Sequence, residues 1–99
     1  MELNFPVLCT NPECGQPAIY KIASRWSDGV TGELKTYALS CDNCLKKLFA
    51  QSQAKQAACR LAPAETLDPP GIYRLVRGQL DSQLERLTDL EQILRTRKQ

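Results

Sequence analysis

The chain has 99 residues, 42% of them hydrophobic and 24% charged, with a formal net charge of +2 and no histidine. This length allows one domain, or one small domain with a helical extension. Without histidine, neither a Ser-His nor a Cys-His nucleophile can form, so we expect a protein that is not an enzyme. The positive and negative charges nearly balance, so the chain lacks the basic excess that is typical of proteins that bind a phosphate backbone. No apolar run in the sequence reaches the roughly 18 residues of a membrane span.

Two close pairs of cysteines organise the first half of the chain. Cys9 and Cys14 form the first pair, and Cys41 and Cys44 form the second. Structural zinc sites join two such pairs in a tetrahedral Zn(Cys)4 centre, whereas catalytic zinc keeps one position open. The pattern therefore predicts one structural Zn²⁺. Paired cysteines of this kind also favour a reducing compartment, and we expect a cytoplasmic location.

The first elements in chain order are a metal-binding turn and a β-hairpin. Residues 9–15 contain Pro12 and Gly15, which suit a tight turn beside a ligand. Two β-prone runs follow at 18–26 and 33–40, and the Asp-Gly pair between them is typical of a hairpin turn. A turn centred there pairs Tyr20 with Leu39 and Ile22 with Tyr37.

A helix is predicted from Cys41 to about Arg60. Its apolar stripe consists of Leu45, Leu48 and Phe49. With Cys41 and Cys44 in its first turn, free amide donors and the helix dipole would stabilise their thiolates. Cys59 lies too far along this helix to be a ligand of the same ion. We expect it to be a small buried residue, with a reactive thiol as the alternative.

The remaining residues predict a proline-rich linker over 62–71 and a C-terminal helical segment over 72–99. The start of that segment, residues 72–78, is compatible with either a strand or a helix. From residue 80 onward, apolar residues recur at spacings of three and four. This stripe docks on the zinc domain, forms a candidate interaction surface with a second copy, or binds a helix of another protein. Its members are Leu80, Leu84, Leu87, Leu90, Ile93 and Leu94.

The order of turn, hairpin and helix resembles a treble-clef zinc finger over residues 9–58, within a zinc domain spanning 1–61. Cys-Gly at 14–15 and Cys-Asp-Asn-Cys-Leu at 41–45 resemble the four-cysteine zinc-binding domain of Clp-type AAA+ unfoldases. That module dimerises and recognises adaptors and substrates, so the resemblance implies protein binding. The chain also resembles a second group, the small TraR/DksA-like regulators, which join a four-cysteine finger to a coiled coil.

These features predict a small α+β protein with structural zinc that binds another protein or itself, as an adaptor or regulator. No membrane or small-molecule partner is expected. One alternative is a nucleic-acid-associated finger that stacks bases on an aromatic and basic hairpin surface. A second is a thiol redox sensor that releases zinc on oxidation. The residues of the alternative nucleic-acid surface are Lys21, Arg25, Trp26 and Lys35.

Overall fold

The computed structural model of the chain describes residues 7–76 and 84–96, and it has a small α+β architecture. Within these ranges no helix has the length and apolar character that crossing a membrane requires. The elements in chain order are β1 (Tyr20–Ser27), β2 (Gly32–Ser40), α1 (Leu45–Ala58), β3 (Thr66–Leu67), β4 (Gly71–Arg74) and α2 (Thr88–Thr96).

Strand β1 is the centre of the antiparallel sheet formed by the described strands. One edge of β1 pairs with β2 along its whole length. The other edge pairs with β4 near its start, where Ile22 lies opposite Ile72, and with β3 near its end, where Trp26 lies opposite Leu67. Every strand pairing in the sheet therefore involves β1.

The predicted hairpin is present, and Asp28 organises its turn. The Asp28 carboxylate accepts hydrogen bonds from the backbone N–H groups of Val30 (2.9 Å) and Thr31 (2.7 Å). Gly29 has a φ of 91°, which glycine adopts without the steric cost that other residues pay. The Asp-Gly signal in the sequence thus corresponds to a carboxylate-capped turn.

The register of the hairpin differs from the predicted one. Tyr20 lies opposite Ser40 and Ile22 opposite Ala38, each one residue away from the predicted partners Leu39 and Tyr37. The cause is a bulge: the register shifts after Ile22, and β2 carries one extra residue there, so that Tyr37 has no partner on β1. Because side chains alternate along a strand, this shift places Ala38 and not Tyr37 in the core.

The first helix is shorter than predicted at both ends. It begins at Leu45, so Cys41 lies in the turn that precedes the helix and Cys44 is the N-terminal cap residue. The helix ends at Ala58, and Cys59 adopts an extended conformation with an exposed side chain. The expectation of a buried Cys59 was therefore wrong, because the buried residues of the helix all lie between Leu45 and Ser52 and Cys59 follows its last residue.

Part of the predicted linker and the start of the C-terminal segment belong to the sheet. Residues 66–67 form β3, and Pro70 and Gly71 are buried. Residues 72–74 continue β4, which makes this part of the segment a strand and not a helix. The physical reason is that the second edge of β1 offers free hydrogen-bonding groups and a place for Ile72 opposite Ile22. Leu80 lies outside the described residues.

Helix α2 lies against β4 and closes the hydrophobic core. The chain before the helix runs beside β4, where Arg74 N–H donates to the Glu85 carbonyl and Leu87 N–H donates to the Ile72 carbonyl, both at 2.8 Å. The apolar stripe of the helix thus packs on the chain's own core. The core side chains are Ile22, Ala38, Leu45, Leu48, Phe49 and Ile72, and the partly buried Leu87, Leu90 and Leu94 pack against them.

Candidate metal centre

The fold brings the two cysteine pairs together at the base of the hairpin. The Sγ atoms of Cys9, Cys14, Cys41 and Cys44 all lie within 4.8 Å of one another. Zinc bonded to four sulfurs at about 2.3 Å places them roughly 3.8 Å apart. The Sγ atoms of Cys14 and Cys41 are 3.4 Å apart. The cluster therefore has the dimensions of a four-coordinate metal site.

A closed turn presents the first pair. The N–H of Cys9 donates to the Gln16 carbonyl at 2.8 Å, and the N–H of Cys14 donates to the Asn11 carbonyl at 3.0 Å. Gly15 directly follows the second ligand with a φ of 72°, a conformation that disfavours residues with a Cβ atom. The chain can therefore reverse direction immediately after Cys14.

The second pair lies in the connection between β2 and α1, and Thr10 fastens the first pair to it. Thr10 N–H donates to the Leu39 carbonyl at 2.7 Å, while the Thr10 hydroxyl accepts from Leu39 N–H at 2.8 Å. Leu39 is two residues from Cys41, so these bonds hold the loop of the first pair against the end of β2. Nothing in the sequence marks Thr10 for this role, because a hydroxyl next to a ligand carries no signal of a distant partner.

The thiols of the cluster influence each other's ionisation. Burial disfavours the Cys41 thiolate, but the Cys44 and Asn43 N–H groups and the neighbouring thiols of Cys14 and Cys44 lower the pKa of Cys41 to about 7. For Cys14, the N–H of Gln16 lowers the pKa, but the other three thiols together with burial raise it to about 12. Four sulfurs this close hold their negative charge easily only beside a cation.

The donor set fits a structural zinc ion. Cys9 and Cys41 are buried, and Cys14 and Cys44 are half-buried. Thiolate sulfur is a ligand that zinc favours, and four sulfurs complete a tetrahedral shell with no position left for water or substrate. Such a shell joins two distant chain segments, and this is the role of zinc in structural sites.

The four residues of the alternative nucleic-acid surface do not share one face of the sheet. Lys35 Nζ lies 5.1 Å from the centroid of the Trp26 ring, and Lys35 is paired with Ser24 in the register. Because side chains alternate along β1, Lys21 and Arg25 belong to the face opposite to Trp26. The hairpin thus offers two smaller surfaces in place of the single one that was predicted.

The members of the candidate interaction surface differ in their burial. Leu84 is half-buried, while Leu87, Leu90 and Leu94 pack against the core. Ile93 is 51% exposed. The described part of this stripe therefore lies largely on the domain itself.

Comparisons of this chain with protein-family models, with curated proteins and with solved structures find no match. The assignment of a metal centre thus depends on the convergence of its four thiols.

Proposed function

We propose that this chain is a treble-clef protein in which Cys9, Cys14, Cys41 and Cys44 hold one structural Zn²⁺, and that it binds another protein as an adaptor or regulator. The single observation that supports the metal is the convergence of four Sγ atoms within 4.8 Å. When bound, zinc would supply a cross-link between the loop of the first pair and the start of α1. Because the unfolded chain lacks a preformed site, zinc binding would add directly to the free energy of unfolding.

The treble-clef assignment is supported by the order of the elements. A turn with two ligands, a hairpin, and a helix preceded by the second pair follow one another, as in the zinc-binding domain of Clp-type unfoldases that residues 14–15 and 41–45 resemble. That resemblance is the basis for proposing a protein partner.

A protein partner is also favoured over a nucleic acid by charge. The formal net charge of +2 falls toward zero once four thiolates and one Zn²⁺ are counted. Lys35 is already paired with the Trp26 ring, and strand alternation separates Trp26 from Arg25. The four residues of the alternative nucleic-acid surface therefore do not form one continuous patch, which supports the choice of a protein partner.

Metal analysis tests the first half of the proposal. Protein purified under reductant should contain one zinc per chain by native mass spectrometry, and Cys41→Ser should lose it. Cys59→Ser is the matched control, since Cys59 lies outside the cluster, and it should keep full zinc. Absence of stoichiometric metal from the wild type would overturn the proposal.

The partner class is tested separately with the zinc-loaded chain. Light scattering reports self-association, and crosslinking in native cell extract with identification by mass spectrometry reports other proteins. Binding to single-stranded DNA at low ionic strength that weakens steeply with added salt, without any protein crosslink or self-association, would replace the protein partner by a nucleic acid.

A further inference from the structure

Asn11 joins the two halves of the thiol cluster through its side chain. Its Nδ2 group donates a hydrogen bond to Cys44 Sγ at 3.4 Å. Asn11 lies in the loop of the first pair, whereas Cys44 belongs to the second pair, 33 residues further along the chain. Asn11 is half-buried. The contact therefore crosses the metal centre and is not a local feature of one turn.

The orientation of the amide follows from a second hydrogen bond. Asn11 Oδ1 accepts from the N–H of Glu13 at 3.2 Å. The two ends of an asparagine amide are assigned from such networks, and a backbone N–H can only pair with the oxygen. The nitrogen must then face Cys44. A thiolate accepts hydrogen bonds and a neutral amide nitrogen donates them, so this contact matches the charged form of the sulfur.

A simple turn-capping role does not require asparagine. An aspartate accepts the Glu13 N–H as well as an asparagine does, since both side chains stabilise turns through their oxygen. Only the amide adds a donor toward Cys44. A carboxylate in the same place would put a second negative charge beside the thiolate. A comparison of asparagine with aspartate at position 11 therefore separates the effect of the turn hydrogen bond from the effect of the donor to Cys44.

We propose that Asn11 is a positioning residue of the metal centre, whose amide donates to the Cys44 thiolate and slows the loss of zinc from that sulfur. The inference rests on the proposed zinc site and assigns a residue beyond its four ligands. Groups that hydrogen-bond to metal ligands orient them, and their loss commonly costs about 10-fold to 100-fold in metal affinity. The bond to Asn11 also disperses charge on a sulfur that is only half-buried.

The test compares Asn11→Asp with Asn43→Asp in the full chain loaded with zinc. Both variants convert an amide into a carboxylate close to Cys44 in sequence or space. Asn43 acts on the cluster through its backbone N–H, which favours the Cys41 thiolate and which the substitution keeps, whereas its side chain is exposed. Transfer of zinc to an excess of a chromogenic chelator is followed by absorbance. Asn11→Asp should release zinc about 10-fold to 100-fold faster than the wild type, and Asn43→Asp should change the rate far less.

A spectroscopic measurement separates the donor from a general loss of structure. Co²⁺ in place of zinc gives a sulfur-to-metal charge-transfer band, which should shift in Asn11→Asp and stay in place in Asn43→Asp. Equal release rates for the two variants, or a band that does not move in Asn11→Asp, would overturn the role of Asn11. A wild type that binds neither Zn²⁺ nor Co²⁺ would instead overturn the proposed metal site, and this inference with it.

Discussion

Arg86 donates two parallel hydrogen bonds to the buried carboxylate of Glu91. Arg86 Nε lies 2.8 Å from Glu91 Oε2, and Arg86 Nη2 lies 3.0 Å from Glu91 Oε1. The same carboxylate accepts the N–H of Ile72 at 2.8 Å, and its side chain is only 2% exposed. The hydrogen bond to Glu91 raises the pKa of Arg86 above its ordinary value. This group fastens α2 to β4, because Glu91 belongs to the helix and Ile72 to the strand.

Arg86→Ala is expected to lower the free energy of unfolding by about 2 to 3 kcal/mol, since it leaves a buried carboxylate without its main partner. The value lies below the range of about 3 to 5 kcal/mol for fully buried pairs, because Arg86 itself is 42% exposed. Glu91→Gln should cost less, about 1 to 2 kcal/mol, because the amide keeps an acceptor for Ile72. Denaturant unfolding at a fixed zinc concentration measures both.

The control for this pair is the neighbouring ion pair between Arg74 and Glu85. Its atoms are 3.3 Å apart, but the two side chains are 57% and 67% exposed. Exposed pairs contribute little, so Glu85→Ala should change stability by no more than about 0.5 kcal/mol. Equal losses in Arg86→Ala and Glu85→Ala would show that burial does not strengthen the Glu91 contact.

Gly71→Ala is expected to disturb the same group from the side of the strand. A Cβ atom at Gly71 would lie 2.8 Å from Arg86 Nε, closer than such atoms approach without movement, and 3.0 Å from Glu91 Oε2, which is tighter than most Cβ contacts. We expect a loss of about 1 to 3 kcal/mol in unfolding free energy. Gly32→Ala is the control, because its new atom would meet only the Trp26 carbonyl oxygen within 3.5 Å, at 3.3 Å. A Gly71→Ala protein as stable as Gly32→Ala would contradict the close approach.

The contribution of Asp28 to the stability of the hairpin turn should depend on pH. The N–H groups of Thr31 and Val30 and the Thr31 hydroxyl favour the charged carboxylate and hold the pKa of Asp28 below its usual value. A lowered pKa in the folded state means that this stabilisation is present above the ordinary aspartate pKa and is lost as the pH falls through the folded value.

Nuclear magnetic resonance checks this expectation. The midpoint of the Asp28 carboxyl carbon shift should lie at a lower pH than the midpoint of an ordinary aspartate, about 3.9. Asp28→Asn, which cannot ionise, serves to assign the signal. A midpoint at or above the ordinary aspartate value would rule out the carboxylate as the acceptor of these bonds.

Thiol chemistry distinguishes Cys59 from the other cysteines. Cys59 is exposed beyond the end of α1, whereas the other four cysteines are buried or half-buried in the cluster. In the native zinc-loaded protein one thiol should react with Ellman's reagent, and in Cys59→Ser none should react. In denaturant with a chelator five thiols of the wild type should react, the number of cysteines in the chain. Rapid reaction of more than one thiol in the native protein would mean that the cluster does not protect its sulfurs.

The parts of the fold that sequence could predict are those with a local or strongly spaced signal. Asp28 and Gly29 specify the hairpin turn within a few residues. The two cysteine pairs specify each half of the cluster, although the hydrogen bonds of Thr10 that join them depend on a residue 29 positions away.

Other parts were not predictable because their signals are short or depend on packing. Strands β3 and β4 have two and four residues, too few to show the alternation of a strand. The bulge at Tyr37 leaves no mark in the composition of β2. Glu91 has the pattern of an exposed helix residue that pairs with Arg95, and that contact exists at 3.8 Å, but its shorter bonds are to Arg86 and Ile72. The burial of the Glu91 carboxylate depends on the packing of the surrounding elements, which the sequence pattern does not show.

The tip of the hairpin offers a practical opening for protein engineering. The thiols gather at the base of the ribbon, where Tyr20 lies opposite Ser40, while Val30 at the far end is 90% exposed. Eight residues of strand separate the two ends, a length of about 26 Å. A fluorescent tag or a whole reporter domain inserted beside Val30 would therefore sit well away from the sulfurs, and exposed loop tips of this kind tolerate such insertions.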